Sequence, residues 1–256
     1  MKFPKRICLF LNGEIGLHLL STAINDKTSE VMVVVLNSKE KQRDIDEIID
    51  LCAAKRINIL EFEESSYDEL LTELTNYNLD FGFSCYFGHK LQPEILNLFS
   101  GYVLNMHISL LPLNRGAHPV AWAIRDSTPH GITIHKIDTG LDTGEIVYQE
   151  KIEYAFTDTA QTLYRSTTLI AKEIITKHWE NFFTKKVKST KQSGKVSRHS
   201  LNDFKTLSAL DLSHTGTLLE HLNQLRARNF GERDGAVVSL NGKKYSISLL
   251  ITETDL

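Results

Sequence analysis

An amide and an imidazole stand two residues apart, at Asn105 and His107, where a short apolar run ends. If this run is a strand, its two-residue period places both side chains on one face. An asparagine amide can donate a hydrogen bond to a carbonyl oxygen, and a histidine can move a proton near neutral pH. The same pair could instead be a hydrogen-bonded part of the core, and residue type alone leaves both interpretations open.

A carboxylate, Asp142, lies in the glycine-bearing turn Asp138–Gly144 between two further strand-like runs. A carboxylate beside an imidazole can fix its tautomer and stabilise its charged form. An aspartate in a turn can equally bond its own backbone. The sequence therefore makes Asp142 a candidate partner of His107, but it does not establish that the two side chains are in contact.

The elements that would position these residues alternate along the first half of the chain. Helical spacing separates apolar runs that are typical of buried strands. This alternation predicts an α/β fold, with a mostly parallel, Rossmann-like sheet and helices on both faces. The predicted strands are 7–11, 31–36, 57–60, 81–85 and 103–106, and the predicted helices are 15–24, 44–54, 67–75 and 93–99.

The second half is less regular. Strands are expected at 132–137 and 146–152 and a long helix at about 159–183, followed by a lysine-rich linker over 185–199 and a helix at 218–228. A terminal hairpin of 236–240 and 245–251 would turn at Asn241-Gly242, a pair that favours a type I′ turn. We therefore expect a catalytic domain over 1–184. Residues 185–256 would form a linker and a small C-terminal helix and hairpin region that contacts substrate or a second subunit.

Bulk composition and spacing exclude several classes of function. A net charge of −3 over 256 residues gives no basic signature of nucleic-acid binding. The three cysteines are far apart without CxxC spacing, so we expect no metal site, no disulfide and a reduced, cytoplasmic setting. No apolar segment is long enough to cross a membrane. The turn 12–16 lacks the glycine spacing of a dinucleotide fingerprint, which argues against a nicotinamide enzyme.

Three separated motifs together carry a more specific signal. They are Asn-Met-His-Ile-Ser-Leu-Leu-Pro from Asn105 with a following Arg115-Gly116, Gly-Ile-Thr-Ile-His from Gly131, and Leu-Asp-Thr-Gly from Leu141. In this order they resemble the folate-dependent formyltransferase family, closely over about 80–150 and loosely before it.

The resemblance implies a site. The family's catalytic Asn, His and Asp fall on Asn105, His107 and Asp142, and the co-substrate would be N10-formyltetrahydrofolate, with no metal. His135 would be a strand residue beside the bound folate, and we do not expect it to take a direct part in the reaction. The folate would be held mainly by backbone groups of two loops, at Phe87, Gly88, His89, Leu91, Ile137, Asp138, Gly140 and Asp142.

Within that family, the chain is most similar to the sugar N-formyltransferases in length and in the run Leu225–Phe230 before the hairpin. This similarity implies a nucleotide-linked amino sugar as acceptor, with dTDP-4-amino-4,6-dideoxyglucose for surface polysaccharide such as O-antigen as the expected case. Aliphatic residues alternate in Val237–Leu240 and Tyr245–Leu249, and their apolar face could pack on the core or on a second subunit, so we expect a homodimer. We expect no nucleic-acid or membrane partner. Arginine and lysine suit phosphate oxygens, and the residues expected to hold the substrate are Lys90, Arg115, Gly116 and Arg226.

Three alternatives stay open. The tRNA formyltransferases resemble the chain but carry a sizeable basic domain after the catalytic one. The glycinamide ribonucleotide enzymes have a phosphate loop after the first strand, from which Asn12-Gly13-Glu14 departs by placing an acid there. The third alternative is a non-catalytic folate-binding or regulatory protein on the same scaffold.

Overall fold

The computed structural model describes residues 4–37, 45–184, 187–231 and 235–254. The chain folds into two compact units, each assembled from three separate segments. The first contains 1–107, 134–148 and 170–192, and the second contains 108–133, 149–169 and 193–256. The two units therefore interleave along the sequence, whereas the predicted domains were consecutive. The boundary at 184/185 stays a prediction.

A seven-stranded sheet forms the centre of the fold, and β1 to β5 pair in parallel wherever they are neighbours. The order across the sheet is β3-β2-β1-β4-β5-β7-β8. The strands are β1 (Lys5–Leu11), β2 (Ser29–Asn37), β3 (Asn58–Phe62), β4 (Phe81–Cys85), β5 (Val103–His107), β7 (His130–Lys136) and β8 (Ile146–Ile152). A mostly parallel α/β sheet is confirmed.

Helices cover both faces of this sheet because successive strand residues point to opposite sides. On one face, Cys8 and Phe10 join the buried cluster that includes Ile95. On the other, Phe81 and Phe83 pack against the aromatic rings of Trp179 and its neighbours. The helices are α1 (Gly13–Asn25), α2 (Ile45–Lys55), α3 (Tyr67–Thr75), α4 (Pro93–Leu98) and α6 (Ala160–Phe183).

The second unit contains three shorter helices, α5 (Pro119–Arg125), α7 (Leu201–Ser208) and α8 (Leu218–Arg228). Its strands β10 (Ala209–Leu210), β11 (Ala236–Leu240) and β12 (Lys243–Ile247) form a small sheet. Strands β11 and β12 are antiparallel, and Asn241 and Gly242 between them both have positive φ, as a type I′ turn requires. The predicted hairpin is confirmed, although its second strand begins and ends earlier than expected.

The lysine-rich segment 185–199 is more structured than the sequence suggested. Thr190 forms an antiparallel bridge with Ile146, and the short strand β9 (Arg198–His199) pairs in parallel with β6 (Arg115–Gly116). Strands of two residues have no periodicity to detect, which is why both were missed. Lys185 and Lys186 lie outside the described residues. Over the described part of the chain, no helix combines the length and the apolar character that a bilayer crossing needs.

Candidate active site

Strand β5 presents Asn105 and His107 two residues apart, next to β4, where Ser84 is paired with Asn105. His107 ends the strand and is only 8% exposed. Because β5 runs parallel to β4, both polar residues lie toward the carboxyl edge of the sheet, the edge where open α/β sheets bind ligands. The position therefore suits a reactive pair.

The turn after β7 brings Asp142 to this edge, and its shape is fixed by local contacts. The Asp138 carboxylate accepts hydrogen bonds from the Gly140 N–H at 3.0 Å and the Thr143 hydroxyl at 2.5 Å. A Cβ added at Gly144 would lie 1.8 Å from the Lys136 carbonyl oxygen, so only glycine fits there. Asp142 itself has a left-handed backbone, with φ of 53°.

Gln192 holds the same turn from outside and was not anticipated. Its side-chain Nε2 donates to the carbonyl oxygens of Asp142 and Gly144, each at 2.8 Å. A glutamine in a polar, lysine-rich segment gives no sequence signal for such a contact. Two hydrogen bonds from one side chain therefore anchor the backbone that carries the carboxylate.

The Asp142 carboxylate lies between two imidazoles. Its Oδ2 is 3.7 Å from His107 Nδ1, and its Oδ1 is 3.5 Å from His135 Nε2. Both distances are longer than a normal hydrogen bond. The Asn105 Nδ2 lies 3.1 Å from His135 Nε2 and completes the group. We call Asn105, His107, His135 and Asp142 the polar cluster.

The hydrogen bonds of His135 define how Asn105 is oriented. His135 Nδ1 lies 2.8 Å from the Lys136 carbonyl oxygen, which can only accept, so this nitrogen carries a proton. In the neutral ring, Nε2 then accepts from the Asn105 amide. That leaves the second N–H of the amide for a substrate oxygen. His135 therefore orients the Asn105 amide. The sequence analysis had not assigned this role, although the position of His135 near the end of the neighbouring strand could have indicated it.

The buried cysteine thiols are poorly suited to act as nucleophiles in place of this cluster. Cys85 ends β4 but is fully buried, and burial raises the pKa of its thiol well above the usual range. Burial likewise raises the pKa of Cys52 to about 11. Within the described ranges, no group of three or more His, Cys, Asp or Glu side chains is arranged to hold a metal ion.

The first predicted folate loop is anchored by buried side chains and exposes a glycine. Phe87 and Leu91 are buried in the core, and the Phe87 carbonyl oxygen accepts from the Asn37 side chain. Gly88 between them is exposed, with φ of 78°, and a Cβ there would meet nothing closer than 3.9 Å. On the second loop, Ile137 is half-buried and Asp138 is exposed. At Gly88 the first loop therefore offers accessible backbone to a ligand.

His89 and Ile137 each have a fixed local partner. His89 Nδ1 lies 3.3 Å from Glu64 Oε1, and the Ile137 N–H donates to the Val103 carbonyl oxygen at 2.8 Å. The second contact ties the start of the turn to the start of β5. Both contacts belong to the first unit, which also contains the whole polar cluster.

The residues predicted to bind substrate are placed differently from one another. Lys90 is exposed, and Arg115 and Gly116 form β6 and are half-buried. Arg226 is 3% exposed, and its three guanidinium nitrogens donate to Asp158 O, Asn223 Oδ1 and Ala155 O. This geometry favours a structural role for Arg226 over the predicted phosphate contact.

A set of contacts fixes the loop 112–118, which we call the Arg115 loop. The Arg115 N–H donates to the Ser197 carbonyl oxygen and the Ala117 N–H to that of His199. The His199 ring stacks on Trp122 at 3.9 Å, almost parallel. The His118 ring stacks in the same way on Phe204 at 3.6 Å. None of these stacks was predicted, because the paired residues are far apart in sequence.

The family comparison covers both parts of the chain. Residues 5–178 match the model of the formyl transferase family, and residues 203–253 match that of the N-formyltransferase dimerization C-terminal domain. A methionyl-tRNA formyltransferase of Lachnospira eligens is 29% identical over 77% of this chain. A dTDP-4-amino-4,6-dideoxyglucose formyltransferase of Mycobacterium bovis is 29% identical over 58% of it. These matches cover 62% and 64% of the two relatives' own lengths.

Solved structures show the same fold along nearly the whole chain. A sugar N-formyltransferase from a Shewanella species superposes with a TM-score of 0.83 at 20% identity, covering 98% of this chain and 99% of that one. An N-formyltransferase of Helicobacter canadensis, solved with folinic acid and dTDP-3-aminofucose, gives 0.69 at 23% identity over 95% and 86%. At these identities the likeness shows the fold alone. With the family match over residues 5–178, the chain belongs to the formyl transferase family.

Proposed function

We propose that this protein transfers the formyl group of N10-formyltetrahydrofolate to the amino group of a nucleotide-linked amino sugar. The observation that carries the proposal is the polar cluster, in which Asn105, His107 and Asp142 meet at the carboxyl edge of a sheet with the formyl transferase fold. The cluster supplies an amide donor, a proton carrier and a carboxylate, the three groups that formyl transfer needs.

In the reaction, the neutral amine attacks the formyl carbon, so a new C–N bond forms and the carbonyl oxygen becomes an oxyanion. Asn105 donates the amide hydrogen that His135 leaves available to this oxygen. His107 accepts the proton that the amine loses, and Asp142 stabilises the resulting imidazolium. The bond between N10 and the formyl carbon then breaks, the proton passes to N10, and the products are a formamide and tetrahydrofolate.

Several observations support a sugar nucleotide as the acceptor. The Mycobacterium bovis relative acts on dTDP-4-amino-4,6-dideoxyglucose, and the Helicobacter canadensis structure contains dTDP-3-aminofucose. Lys90 is exposed and Arg115-Gly116 is half-buried, and we propose each of them as a phosphate contact. We take dTDP-4-amino-4,6-dideoxyglucose as the acceptor and surface polysaccharide, such as O-antigen, as its destination.

A second acceptor has its own support. The Lachnospira eligens relative, a methionyl-tRNA enzyme, matches a longer stretch of this chain than the sugar enzyme does. However, tRNA binding depends on neutralising phosphates with many cations, and the net charge of the chain is −3. The sugar acceptor therefore remains the main proposal.

A homodimer is part of the proposal. The C-terminal match is to a dimerization domain, and the same region exposes Leu240, Tyr245 and Leu250, the last of them 86% accessible. A single chain gains nothing from apolar side chains in water, whereas a second copy could bury them. Light scattering at micromolar concentration should therefore give twice the chain mass, and Leu250→Asp should shift the protein toward the monomer.

The substrate test uses purified protein, N10-formyltetrahydrofolate and four acceptors: dTDP-4-amino-4,6-dideoxyglucose, dTDP-3-aminofucose, a UDP-linked amino sugar and methionyl-tRNA. The expected result is one acceptor that gains the mass of a single carbonyl group, dTDP-4-amino-4,6-dideoxyglucose, with equimolar tetrahydrofolate. If methionyl-tRNA were the one acceptor formylated, the sugar proposal would be wrong and methionyl-tRNA would be the substrate. Folate binding without transfer to any acceptor would indicate the binding protein instead.

A further inference from the structure

The loop 86–92, which contains the first predicted folate loop, leaves β4 through backbone conformations that cost free energy. Tyr86 has a left-handed backbone, with φ of 57°, and Gly88 follows with φ of 78°. This region is open to glycine but is unfavourable for a bulky side chain such as tyrosine. Such a conformation persists only where the surrounding structure holds it. The loop therefore depends on contacts from other elements.

One of these contacts comes from the end of β2. Asn37, the last residue of that strand, is 4% exposed, and its side-chain Nδ2 donates to the Phe87 carbonyl oxygen. Strand β1 lies between β2 and β4 in the sheet, so this hydrogen bond joins the ends of two strands that are not neighbours. The Phe87 ring packs on Phe10 and Phe62. Both the main chain and the side chain of Phe87 are therefore held.

The other half of the Asn37 amide shows that this contact has a cost. The Oδ1 atom is buried and has no hydrogen-bond partner in the described part of the chain. Exchanging the two ends of the amide would not help, because Oδ1 would then face the Phe87 carbonyl oxygen, and both are acceptors. A buried polar atom without a hydrogen bond destabilises a fold. The preceding residues, Val34, Val35 and Leu36, are buried and apolar, and another aliphatic side chain would avoid this cost. What an asparagine adds here is the hydrogen bond to Phe87.

The far end of the loop is held from α3. The Gln92 N–H, just before α4, donates to the Tyr67 hydroxyl oxygen at 3.1 Å. Tyr67 begins α3, and its ring packs edge to face on Phe62. Asn37 and Tyr67 therefore fix the two ends of the loop, while Gly88 between them is exposed.

We propose that Asn37 and Tyr67 are positioning residues for the reduced folate, a role that rests on the proposed function, in which loop 86–92 binds the folate. They act through the loop and hold its backbone in the binding conformation before the ligand arrives. A loop that is already ordered loses less conformational entropy on binding. Both residues lie in the first unit but outside the polar cluster. Their removal should therefore weaken folate binding without slowing the chemical step.

The test measures the Kd of tetrahydrofolate for the whole protein by isothermal titration calorimetry, which requires no transfer reaction. Tyr67→Phe removes one hydroxyl group and keeps the ring, and Asn37→Ala removes the amide. Each variant loses one hydrogen bond to the loop, so Kd and the KM for N10-formyltetrahydrofolate should rise about three- to tenfold. Neither kcat nor the KM for the amine acceptor should change. Tyr77→Phe and Asn58→Ala are the matched controls, because they break a hydrogen bond of the same kind elsewhere in the first unit, and they should leave Kd unchanged.

Hydrogen exchange followed by mass spectrometry reports on the loop itself, without any ligand. The amides of a peptide covering 86–92 should exchange about three- to tenfold faster in both variants, because the loop opens more often. A peptide from α6 should exchange as in the parent protein. Should Asn37→Ala fail to fold, Tyr67→Phe still tests the proposal, since it changes only a hydroxyl group on a half-buried ring.

Three outcomes would overturn the proposal. The first is an unchanged Kd in the folded variants, even with faster exchange of 86–92, because the loop would then be held without contributing to folate binding. The second is a fall in kcat as large as the rise in Kd, or an equal rise in Kd in Tyr77→Phe, because the effect would then be general. The third is a parent protein that does not bind tetrahydrofolate. In that case the proposed function is wrong as well, and the parent measurement distinguishes this case from the other two.

Discussion

Two regions of the protein are held in a fixed shape by different kinds of contact. One is the turn that carries Asp142, and the other is the Arg115 loop. The turn is fixed by close backbone contacts at Gly144 and by hydrogen bonds from Asp138 and Gln192. The Arg115 loop is held by two backbone hydrogen bonds and by the ring stacks of His118 and His199 on aromatic partners from distant segments. The first arrangement tolerates almost no change, while the second can be weakened in steps. Perturbing the turn and its cluster should therefore affect the chemical step, and perturbing the loop should affect binding of the sugar nucleotide.

The largest effect is expected from Asn105→Ala. Loss of a donor to the oxyanion in comparable sites lowers kcat by about 10²–10³-fold. Because the effect belongs to the transition state, KM for both substrates should change little. Steady-state kinetics would measure it, with Asn58→Ala as the control, since the exposed Asn58 side chain donates to the Tyr77 hydroxyl and is not part of the polar cluster. A fall of less than about fivefold, which is under 1 kcal/mol, would remove Asn105 from the chemical step.

His135 provides a sharper test, because its proposed role passes through Asn105. His135→Phe removes the acceptor for the Asn105 amide, and kcat should fall by about 10–100-fold, the cost of one misdirected hydrogen bond to a developing charge. His135→Gln can restore an acceptor and should recover part of the rate. Equal losses in both variants would indicate that His135 only fills space. Rapid-quench measurement of a single turnover would separate the chemical step from product release.

The sequence predicted the residues that lie in local motifs, and it did not predict those that act through contacts between distant segments. Asn105, His107 and Asp142 occur in compact motifs, and the strands that carry or flank them are continuous apolar runs, so the sequence predicted these residues and these strands. The catalytic roles of the three residues stay a prediction. His135 was placed correctly on its strand, but its bond to Asn105 depends on the register between two strands. Gln192, Trp122 and His199 act through contacts between segments far apart in sequence. Nothing in composition or periodicity encodes such a contact.

An intermediate effect is expected at Gln192, which anchors the turn without entering the reaction. Gln192→Ala removes both of its hydrogen bonds to the turn, so the carboxylate should be less well oriented. We expect kcat to fall about three- to tenfold, in line with 0.5–1.5 kcal/mol for a hydrogen bond of this kind. Gln224→Ala, which loses a hydrogen bond to the Leu207 carbonyl oxygen in the second unit, serves as the control. Unchanged kcat in Gln192→Ala would mean that Gly144 and Asp138 suffice to hold Asp142.

A smaller and different effect should follow from breaking the His199 stack. His199→Ala removes a ring contact worth about 0.5–1.5 kcal/mol and should raise KM for the sugar nucleotide about two- to tenfold, with kcat and KM for the folate unchanged. His199→Phe keeps a ring on Trp122 and should restore most of the affinity. If kcat fell instead, the Arg115 loop would contribute to the chemical step, and the contrast between the two regions would fail.

The smallest effect concerns pH and again involves His199. Burial lowers the pKa of His199, only partly opposed by the nearby Asp126 and Asp203 carboxylates. The folded protein therefore favours the neutral ring, and the unfolded chain binds the proton more readily. The contribution of this residue to stability is complete above about pH 6.5, the usual value for histidine, and decreases as pH falls below it. Thermal unfolding between pH 8 and 5 should thus show a smaller loss of Tm in His199→Phe than in the parent protein. Since burial lowers the pKa of His18 as well, part of the parent's pH dependence should persist in the variant. If Tm changed with pH by the same amount in the two proteins, protonation of His199 would not lower the free energy of unfolding. The stack on Trp122 would then be equally stable when the ring is charged.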